Sequence, residues 1–473
     1  MRKTKIVCTL GPATDKGDIL EQLVKNGLDV SRSNFSHGDH DEHLGRMNKI
    51  KEFRKKYNRP VAILLDTKGP EIRIKDFKDH QKINLEKGQE FVLRNDAAEG
   101  DQNSVAISFP KLYKDVKAGS TILIDDGLVE LTVLRVEGTN IVCKVINTGT
   151  ISDKKGVNVP NIKLSMPFLS DKDREDLAFG CKQDVDFVAA SFTRRKEDIE
   201  EMRTFLAANG GEAIQIIAKI ENQEGVNNID AIIEAADGIM VARGDMGVEI
   251  PCEEVPSIQK SIIKKTVAAG KMVITATQML DSMMKNPRPT RAEVTDVANA
   301  IYDGTSATML SGETANGSYS LEAFLTMKKI AERTEEDINY QGRFFEKTKL
   351  SQPNVTDAIS HATCTTAHDL NAKYIITVTK SGATAKRISR FRPDCDIIAG
   401  TTSEKVARQL NLTWGVTPII IGEQEDVFEL FDAVIESCKE EKLLEKGDIT
   451  VMASGLPVGM SGTTNMIKVH VTE

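Results

Sequence analysis

Short apolar runs alternate with helix-like segments along much of the chain, and this alternation limits the possible folds more than any other feature. It is clearest at 214–247, where an apolar run at 214–218 precedes helical spacing at 225–235 and a second apolar run at 238–241. A strand, a helix and another strand in this order predict a β-α-β unit. If its strands are parallel neighbours, the polar residues that follow each strand lie together at one edge.

The alternation occurs eight times, with three predicted strands before residue 71 and five after residue 167. The predicted strands are Lys5–Thr9, Leu28–Ser31, Val61–Leu65, Phe187–Ala190, Gln215–Ala218, Ile239–Val241, Met272–Ala276 and Ala307–Leu310. Eight parallel strands that alternate with helices over about 240 residues favour a (β/α)8 TIM barrel. The alternative is an open, doubly wound sheet, which eight consecutive units make less favourable.

Two further regions have different periodicity. Between 71 and 167 apolar and polar residues alternate, with turn signals at Asp126-Gly127 and Glu137-Gly138, which predicts an inserted small β-barrel domain that acts as a lid. Beyond a predicted linker at 347–354, another strand and helix pattern predicts an open α/β domain. The predicted domains are thus the barrel at 1–70 and 168–345, the insert at 71–167 and a C-terminal regulatory domain at 346–473.

Composition excludes several classes of protein. The net charge of -8 leaves no general basic surface, so neither nucleic acid nor an anionic membrane is expected as a partner. The 7 cysteines are scattered and never in CxxC spacing, which argues against a zinc site or a disulfide framework and favours a reducing cytoplasm. No signal peptide or long apolar run is evident, so we expect a cytoplasmic protein without membrane spans.

Polar residues follow nearly every predicted barrel strand. In a barrel these residues would surround one opening, where active sites of this fold lie. They are Arg32 with Asn34, Asp66 with Thr67, Lys219 with Glu221, Asp245, Thr277 with Gln278, and Ser311 with Glu313. Two carboxylates beside a lysine suit Mg2+, which takes one or two protein carboxylates and leaves positions for water and phosphate. Any one of these residues alone could instead be a cap, a turn residue or a surface ion pair.

A second candidate site lies in the C-terminal domain. A Ser/Gly/Thr turn with a lysine follows the strand predicted at 374–378, ahead of a helix, and could bind a phosphate through backbone N–H groups and hydroxyls. The candidate residues are Thr379, Lys380, Ser381, Gly382 and Thr384. A glycine-rich stretch at 454–462 could close over the same point. We therefore expect a phosphorylated effector here; an ordinary helix cap is the alternative.

Several long motifs together resemble one family. They are Lys3-Thr4-Lys5-Ile6-Val7-Cys8-Thr9, Arg32-Ser33-Asn34-Phe35-Ser36-His37-Gly38, Leu65-Asp66-Thr67-Lys68-Gly69-Pro70-Glu71-Ile72-Arg73, Lys219-Ile220-Glu221, Met240-Val241-Ala242-Arg243-Gly244-Asp245, Ala276-Thr277-Gln278-Met279-Leu280 and Pro287-Arg288-Pro289-Thr290-Arg291-Ala292-Glu293. Over the whole chain the sequence resembles pyruvate kinase, of the bacterial type without an extra C-terminal domain. The resemblance implies phosphoryl transfer from phosphoenolpyruvate to ADP in glycolysis, giving pyruvate and ATP, and it implies a homotetramer.

The resemblance also implies roles for the polar residues after the strands. Glu221 and Asp245 would hold Mg2+ or Mn2+, while Lys219 and Arg32 would contact the phosphoryl group. Backbone N–H groups of Gly244 and Asp245 would bind the substrate carboxylate. Thr277 would help to place the proton on the enolate, through a relay because a threonine hydroxyl is a poor acid.

Two further ligand sites follow from the resemblance. Asn34, Ser36, Asp66 and Thr67 resemble the family's monovalent-cation site. Because members that depend on K+ carry glutamate where this chain has Glu71, we expect K+ dependence. The nucleotide would lie between barrel and insert, and the residues near it would be Asn34, His37, Arg73, Lys155 and Lys172. Lid closure would bring the insert over the barrel opening.

The identity of the effector stays open at this point. The stretch at 454–462 lacks the tryptophan and arginine with which animal members grip fructose bisphosphate. Two other functions are compatible with parts of the pattern. One is a metal-dependent lyase or aldolase acting on an oxoacid, which would use the same Glu221 and Asp245. The other is a non-catalytic sensor that binds phosphometabolites through the turn at Lys380.

Overall fold

The computed structural model describes residues 1–347, 354–424, 426–456 and 463–473. Most of the predicted linker at 347–354 and the centre of the glycine-rich stretch at 454–462 lie outside these residues. The barrel strands are β1 (Lys5–Thr9), β2 (Val30–Asn34) and β3 (Ala62–Asp66), followed after an insertion by β13–β17. The inserted strands are β4 (Ile72–Arg73), β5 (Ile83–Leu85), β6 (Glu90–Arg94), β7 (Ser104–Ala106), β8 (Thr121–Ile124), β9 (Val129–Glu137), β10 (Asn140–Val145), β11 (Gly149–Ile151) and β12 (Gly156–Asn158).

The remaining strands complete the barrel and form the C-terminal sheet. Those of the barrel are β13 (Phe187–Ala190), β14 (Gln215–Ile220), β15 (Gly238–Ala242), β16 (Met272–Ala276) and β17 (Ala307–Leu310). Those of the C-terminal sheet are β18 (Tyr374–Val378), β19 (Asp396–Thr401), β20 (Val416–Ile420), β21 (Ile449–Gly455) and β22 (Thr464–Val471).

The helices follow the strands in the order that the alternation predicts. They are α1 (Ile19–Lys25), α2 (His40–Tyr57), α3 (Asp171–Lys182), α4 (Lys196–Ala208), α5 (Gln223–Asn227), α6 (Ile229–Ala235), α7 (Arg243–Glu249), α8 (Val255–Ala268), α9 (Arg291–Asp303), α10 (Gly312–Ala315), α11 (Ser320–Asp337), α12 (Tyr340–Lys347), α13 (Val355–Asp369), α14 (Ala383–Ser389), α15 (Glu404–Leu410) and α16 (Val427–Glu440). None of the helices in the described residues is long and apolar enough to cross a membrane.

The eight parallel strands of the described chain close into a barrel in the order β1-β17-β16-β15-β14-β13-β3-β2. Alternate side chains of each strand point into and out of the barrel. Leu64 therefore belongs to the cluster that fills the interior, while Ile63 and Leu65 pack in the layer between strands and helices. This closed barrel confirms the predicted fold and excludes the open sheet.

Several predicted boundaries were wrong. β2 begins and ends later than the predicted Leu28–Ser31, and β14 continues two residues beyond Ala218. Between β1 and β2 the apolar spacing of Ile19, Leu20, Leu23 and Val24 predicts a helix from about Asp15 to Asn26, but α1 begins only at Ile19, after a series of turns. The helix predicted at 225–235 is two helices, α5 and α6, which meet at Asn228.

The inserted domain contains a curled sheet with the strand order β4-β12-β8-β9-β10-β6-β7, in which all neighbours are antiparallel except β6 and β7, which are parallel. Its two edges meet, because Lys75 N–H donates to the Ala106 carbonyl and Ser108 N–H donates to the Arg73 carbonyl. Phe77, Phe91 and Leu112 are fully buried in its core. The predicted boundaries at 70/71 and 167/168 fall in the connections that follow β3 and precede α3.

The C-terminal domain has an open five-stranded sheet in the order β20-β19-β18-β21-β22. Its first four strands are parallel and β22 is antiparallel to β21. The domain packs against the amino-terminal end of the barrel, where Arg408 of α15 pairs with the fully buried Asp186 at 2.7 Å. The opposite end of the barrel therefore stays accessible beneath the inserted domain.

Candidate active site

The polar residues after the strands converge at the carboxyl end of the barrel. Adjacent parallel strands end side by side, so the residue register brings Asn34 opposite Asp66. Lys219 is the fifth residue of β14 and lies opposite Met240 of β15, inside the strand and not after it as expected. Glu221 follows the strand directly. The strands themselves therefore hold these side chains.

A buried ionic network surrounds Lys219. Its ammonium group lies 3.1 Å from Asp66 Oδ1 and 3.0 Å from Glu221 Oε1. It also donates a hydrogen bond of 2.7 Å to Ser191 Oγ. Burial opposes the charge of Lys219, but the carboxylates of Asp66 and Glu221 outweigh it and raise the pKa of the ammonium group above its ordinary value. Lys219 is therefore a fixed positive charge in a low-dielectric site.

Arg32 provides a second positive charge next to Lys219. Its Nε donates to Asp66 Oδ2 at 2.7 Å and its Nη1 donates to Thr9 Oγ1 at 2.8 Å. Burial alone would raise the pKa of Asp66, but the two neighbouring cations keep it below its ordinary value. Asp66 thus binds both Arg32 and Lys219, one through each carboxylate oxygen, and cations of this kind are the usual partners of phosphoryl oxygens.

Glu221 has the properties of a metal ligand. It is fully buried, and its Oε2 accepts a 2.6 Å hydrogen bond from the Phe192 N–H. Its Oε1 accepts no hydrogen bond, since the nearby Lys219 ammonium is placed as an ion-pair partner without hydrogen-bond geometry. Burial raises the pKa of Glu221 to about 7, and nearby Asp245 adds to this effect. A buried carboxylate oxygen without a donor, beside a second carboxylate, suits a hard divalent cation such as Mg2+.

Thr277 lies beside Gly244 in a strained conformation. Its φ of 71° is in the left-handed region, which is an outlier for a β-branched residue. Its hydroxyl accepts a 2.7 Å hydrogen bond from the Gly244 N–H and donates one of 2.6 Å to the Ala276 carbonyl. Arg243 stabilises this turn by donating to the carbonyl oxygens of Ala276 and Thr277 at 3.2 and 2.6 Å. Strain of this kind is retained where the surroundings fix a functional group.

The expected monovalent-cation residues are partly engaged within the protein. Asn34 Oδ1 accepts a 3.2 Å hydrogen bond from the Ser36 N–H. Thr67 Oγ1 donates to the Ala189 carbonyl at 3.2 Å, and both Asp66 oxygens face the cations described above. Oxygen donors with a single carboxylate are present at this position, as a K+ site requires.

The expected nucleotide residues form three separate groups. Arg73 pairs with Glu71 at 2.6 Å, and Lys155 pairs with Asp125 at 2.9 Å. Since β4 pairs with β12 in a register that sets Arg73 opposite Gly156, the structure brings these two cations to neighbouring strands. Lys172 does not point to them, because it pairs with Asp176 at 2.6 Å within α3.

His37 is exposed, and its carbonyl lies 2.9 Å from His43 Nε2. A different histidine, His40, lies near Lys172: its Nε2 is 2.6 Å from Asp176 Oδ1. The structure thus places Lys172 and His40 on one buried carboxylate. Among the expected nucleotide residues, His37 contacts Asn34, to whose carbonyl its N–H donates at 3.2 Å.

The candidate effector turn is well ordered locally. Thr379 Oγ1 accepts a 3.0 Å hydrogen bond from the Gly382 N–H, and Gly382 has a φ of 81° that favours glycine. The Thr384 hydroxyl lies 2.9 Å from the Thr464 hydroxyl, so the turn meets the start of β22. Lys380 and Ser381 are exposed. Residues 457–462 of the glycine-rich stretch lie outside the described residues.

A cavity of about 330 Å³ lies between the inserted domain and the barrel. Its walls include Glu71 and Asn158 of the insert, and Phe192, Asp245 and Glu249 of the barrel. The volume is within the range of small-molecule sites. The cleft therefore reaches from the predicted lid to Asp245, one of the two carboxylates that the sequence analysis expects to hold a metal.

Sequence reasoning missed two side chains and one backbone group of the site. Ser191 Oγ contacts Lys219 and donates to the Thr67 carbonyl at 2.7 Å, and Thr9 contacts Arg32. The Phe192 N–H donates to Glu221. Ser191 directly follows a predicted strand, so its position alone could have identified it. Nothing in the sequence indicates that the Phe192 N–H has this role.

Comparisons with known proteins give consistent results. The family model "Pyruvate kinase, barrel domain" matches residues 1–324, and "Pyruvate kinase, alpha/beta domain" matches residues 357–470. A pyruvate kinase of Clostridium acetobutylicum is 56% identical over 474 residues and covers 100% of both chains. A pyruvate kinase of Geobacillus stearothermophilus is 50% identical over 99% of this chain and 80% of the relative.

A solved structure also matches the full chain. It is the crystal structure of a pyruvate kinase from Cryptosporidium parvum, with a TM-score of 0.94, 40% sequence identity, and coverage of 100% of this chain and 96% of that one. The family models, the relatives and this structure agree with the resemblance of the motifs and with the closed barrel. The chain belongs to the pyruvate kinase family.

Proposed function

We propose that the buried cluster around Lys219 carries out the family's reaction, the transfer of the phosphoryl group of phosphoenolpyruvate to ADP. The observation that supports this site is the pair of cations, Lys219 and Arg32, fixed by Asp66 beside the carboxylate of Glu221. Phosphoryl transfer requires positioning and neutralisation of charge more than covalent chemistry by the protein. Preorganised charges in a buried site supply both.

Glu221 and Asp245 would hold Mg2+ or Mn2+. When bound, the metal supplies Lewis-acid stabilisation of charge on the phosphoryl and carboxylate oxygens. Lys219 and Arg32 would orient the phosphoryl group and balance its charge during transfer. The N–H groups of Gly244 and Asp245 would bind the substrate carboxylate, which requires that the Gly244 N–H exchange its bond with Thr277 for one with substrate.

Thr277 would guide the proton that converts the enolate into pyruvate. Once the Gly244 N–H has turned to the substrate, the Thr277 hydroxyl still donates to the Ala276 carbonyl and has a free acceptor position, so it can orient a water molecule without being the acid itself. Asn34, Ser36, Asp66 and Thr67 would bind K+. Activity in a buffer that contains Na+ as the only monovalent cation should fall well below activity in K+, and equal activity in both would contradict this assignment.

ADP would bind between insert and barrel, with its phosphates near Arg73 and Lys155. Lys172, His37 and Asn34 complete the proposed nucleotide set, although Lys172 must first leave Asp176. A phosphorylated effector would bind the turn made of Thr379, Lys380, Ser381, Gly382 and Thr384. If sugar phosphates or nucleotides change the activity of the Lys380→Ala variant as they change that of the unmutated protein, this effector site is wrong. The proposed assembly is a homotetramer in the cytoplasm.

Pyruvate formation tests the proposed site. The unmutated protein, Lys219→Met and the exposed control Lys196→Met are assayed with phosphoenolpyruvate, ADP, Mg2+ and K+. Loss of a charge that stabilises the transferring group should lower kcat of Lys219→Met by about 10³-fold or more, while the control keeps its rate. A Lys219→Met variant as active as the control would exclude Lys219 from the reaction.

A further inference from the structure

One hydrogen bond links the inserted domain to the helix that starts the active-site turn. Asn158, the last residue of β12, donates from Nδ2 to Oε1 of Glu249 at 3.0 Å. Glu249 is the last residue of α7. Both side chains are partly buried and line the cavity between insert and barrel. This is a contact between two domains and not a local cap.

The same short helix bears the groups assigned to substrate and metal. α7 extends from Arg243 to Glu249, so Gly244 and Asp245 lie in its first turn and Glu249 in its last. A helix of this length moves as one body, because its few residues share a single ladder of hydrogen bonds. A force applied to Glu249 therefore displaces Asp245.

A second part of the insert lies near α7. A Cβ placed on Gly127 would lie 3.9 Å from Cγ1 of Val248, so the turn at this glycine comes close to the helix. The Gly127 turn precedes β9, whereas Asn158 ends β12 on the other side of β8. Of these two neighbours of α7, Asn158 is the one that makes a hydrogen bond to it.

The carboxylate of Glu249 needs a hydrogen-bond donor. Burial raises the pKa of this carboxyl group, the Asn158 amide offsets part of the rise, and the charge of Asp245 adds to it. A partly buried carboxylate near a second carboxylate is costly unless a donor meets it. Asn158 provides that donor from the insert, so the buried carboxylate of Glu249 has its lowest free energy when the insert is in place.

We propose that Glu249 is a positioning residue whose hydrogen bond with Asn158 couples the seating of the inserted domain to the placement of Gly244 and Asp245. The inference rests on the proposed roles of those two residues in binding substrate and metal. β12 also pairs with β4, which bears Arg73. The single contact then connects the nucleotide side of the cleft to the metal side.

An exchange of donor and acceptor tests the coupling. Asn158→Asp and Glu249→Gln replace each side chain with one of the same length, and the double variant restores one carboxylate and one amide in reversed order. Steady-state assays give kcat, the KM for both substrates and the Mg2+ concentration for half-maximal activity. Thermal unfolding checks that each variant is folded. Glu253→Gln, at an exposed position just beyond α7, is combined with Asn158→Asp as the control for net charge.

Asn158→Asp sets two carboxylates against each other and should lower kcat about ten-fold, with a parallel rise in the Mg2+ requirement. Glu249→Gln can still accept the Asn158 amide and should change kcat by less than about three-fold. The reversed pair should recover to within about three-fold of the unmutated rate, and Asn158→Asp with Glu253→Gln should not recover.

Three results would overturn the inference. They are a normal kcat in Asn158→Asp, a reversed pair no better than Asn158→Asp alone, or equal recovery through Glu253→Gln. Each is distinct from failure of the proposed function, which would appear as absence of pyruvate formation in the unmutated protein.

Discussion

At the scale of single residues, Thr277 shows how a functional hydroxyl is fixed by its backbone. A β-branched residue at φ 71° costs free energy that the Arg243 hydrogen bonds offset. The turn therefore fixes the orientation of the Thr277 hydroxyl.

We expect Thr277→Ala to lower kcat about 10²-fold, since it removes the group that orients the proton relay. Thr277→Ser keeps the hydroxyl and should retain most of the rate. The measurement is kcat for pyruvate formation with saturating substrates. Equal rates in the alanine and serine variants would show that the hydroxyl has no part in proton transfer.

Lys386 gives a prediction for the dependence of stability on pH. Its Nζ donates to Gln215 of the barrel at 3.1 Å, and burial lowers its pKa from 10.5 to about 8, partly opposed by Asp237. Between these values the unfolded chain binds a proton that the folded chain has lost. The contribution of Lys386 to the free energy of unfolding therefore rises with pH through this window.

Lys386→Met removes the buried charge, so its Tm should exceed that of the unmutated protein at pH 7. The difference should shrink as the pH rises through 8 towards 10, because the unmutated lysine becomes neutral. Differential scanning calorimetry from pH 7 to pH 10 measures both effects. The exposed Lys264→Met is the control and should show a difference that does not depend on pH. A gain for Lys386→Met that grows with pH would reverse the sign and refute the assignment.

At the scale of elements, the apolar pattern located the strands but ended four of them too early, namely β2, β3, β14 and β15. Strands with apolar ends, such as Phe187–Ala190 and Met272–Ala276, were predicted to the residue. β2 and β14 continue through Arg32 and Lys219, polar residues that are buried because they enter the active site. Hydrophobic periodicity cannot identify a buried polar residue as part of a strand. The prediction thus failed where function replaces apolar packing.

The contacts within the site were likewise predictable only where the two residues are close in sequence. Residues two apart in extended chain point to the same side, and the 3.0 Å ion pair of Lys219 with Glu221 agrees with this local rule. The contact of His40 with Asp176, the carboxylate that also pairs with Lys172, needs the packing of α3 against the start of α2. Such contacts between distant segments depend on the fold and have no signature in sequence spacing.

The start of α3 couples a helix cap to the turn after β3. Ser170 and Asp173 form a capping box, and Asp173 Oδ1 also accepts a 3.0 Å hydrogen bond from the Gly69 N–H. Asp173 is fully buried and Gly69 has a φ of 74°. The Asp173 carboxylate thus binds the turn that follows β3 and also caps the N-terminus of α3.

Asp173→Ala should lower the free energy of unfolding by about 2 kcal/mol, from the lost cap and the unsatisfied Gly69 N–H. It should also weaken activation by K+, because the turn includes Asp66 and Thr67. Asp171→Ala is a matched control, since Asp171 is an exposed acid in the same first turn. Urea unfolding and a titration with K+ measure the two effects. Equal losses in both variants would mean that Asp173 acts only through its negative charge near the N-terminus of α3.

At the scale of the whole molecule, the barrel separates two interfaces. The insert rests on its carboxyl end, and the C-terminal domain holds its amino end through Asp186, which is fully buried. Arg54 and Arg408 pair with this carboxylate at 3.0 and 2.7 Å. β13 begins at the next residue and ends before Ser191, which contacts Lys219. One strand therefore spans the distance from the C-terminal domain to the neighbourhood of Lys219, the proposed catalytic lysine.

Arg408→Met should destabilise the protein by about 3 kcal/mol, because it leaves Asp186 buried with one cation fewer. Since Arg408 belongs to the C-terminal domain and Asp186 to the barrel, the loss should fall on the contact between domains. Calorimetry should then show two unfolding transitions that are further apart in temperature than those of the unmutated protein. The exposed control Lys442→Met should leave the calorimetric profile unchanged. A uniform shift of the whole profile would mean that the ion pair stabilises each domain by itself. Because β13 connects Asp186 to Ser191, loosened docking should also lower kcat, and an unchanged kcat would limit Asp186 to holding the domains together.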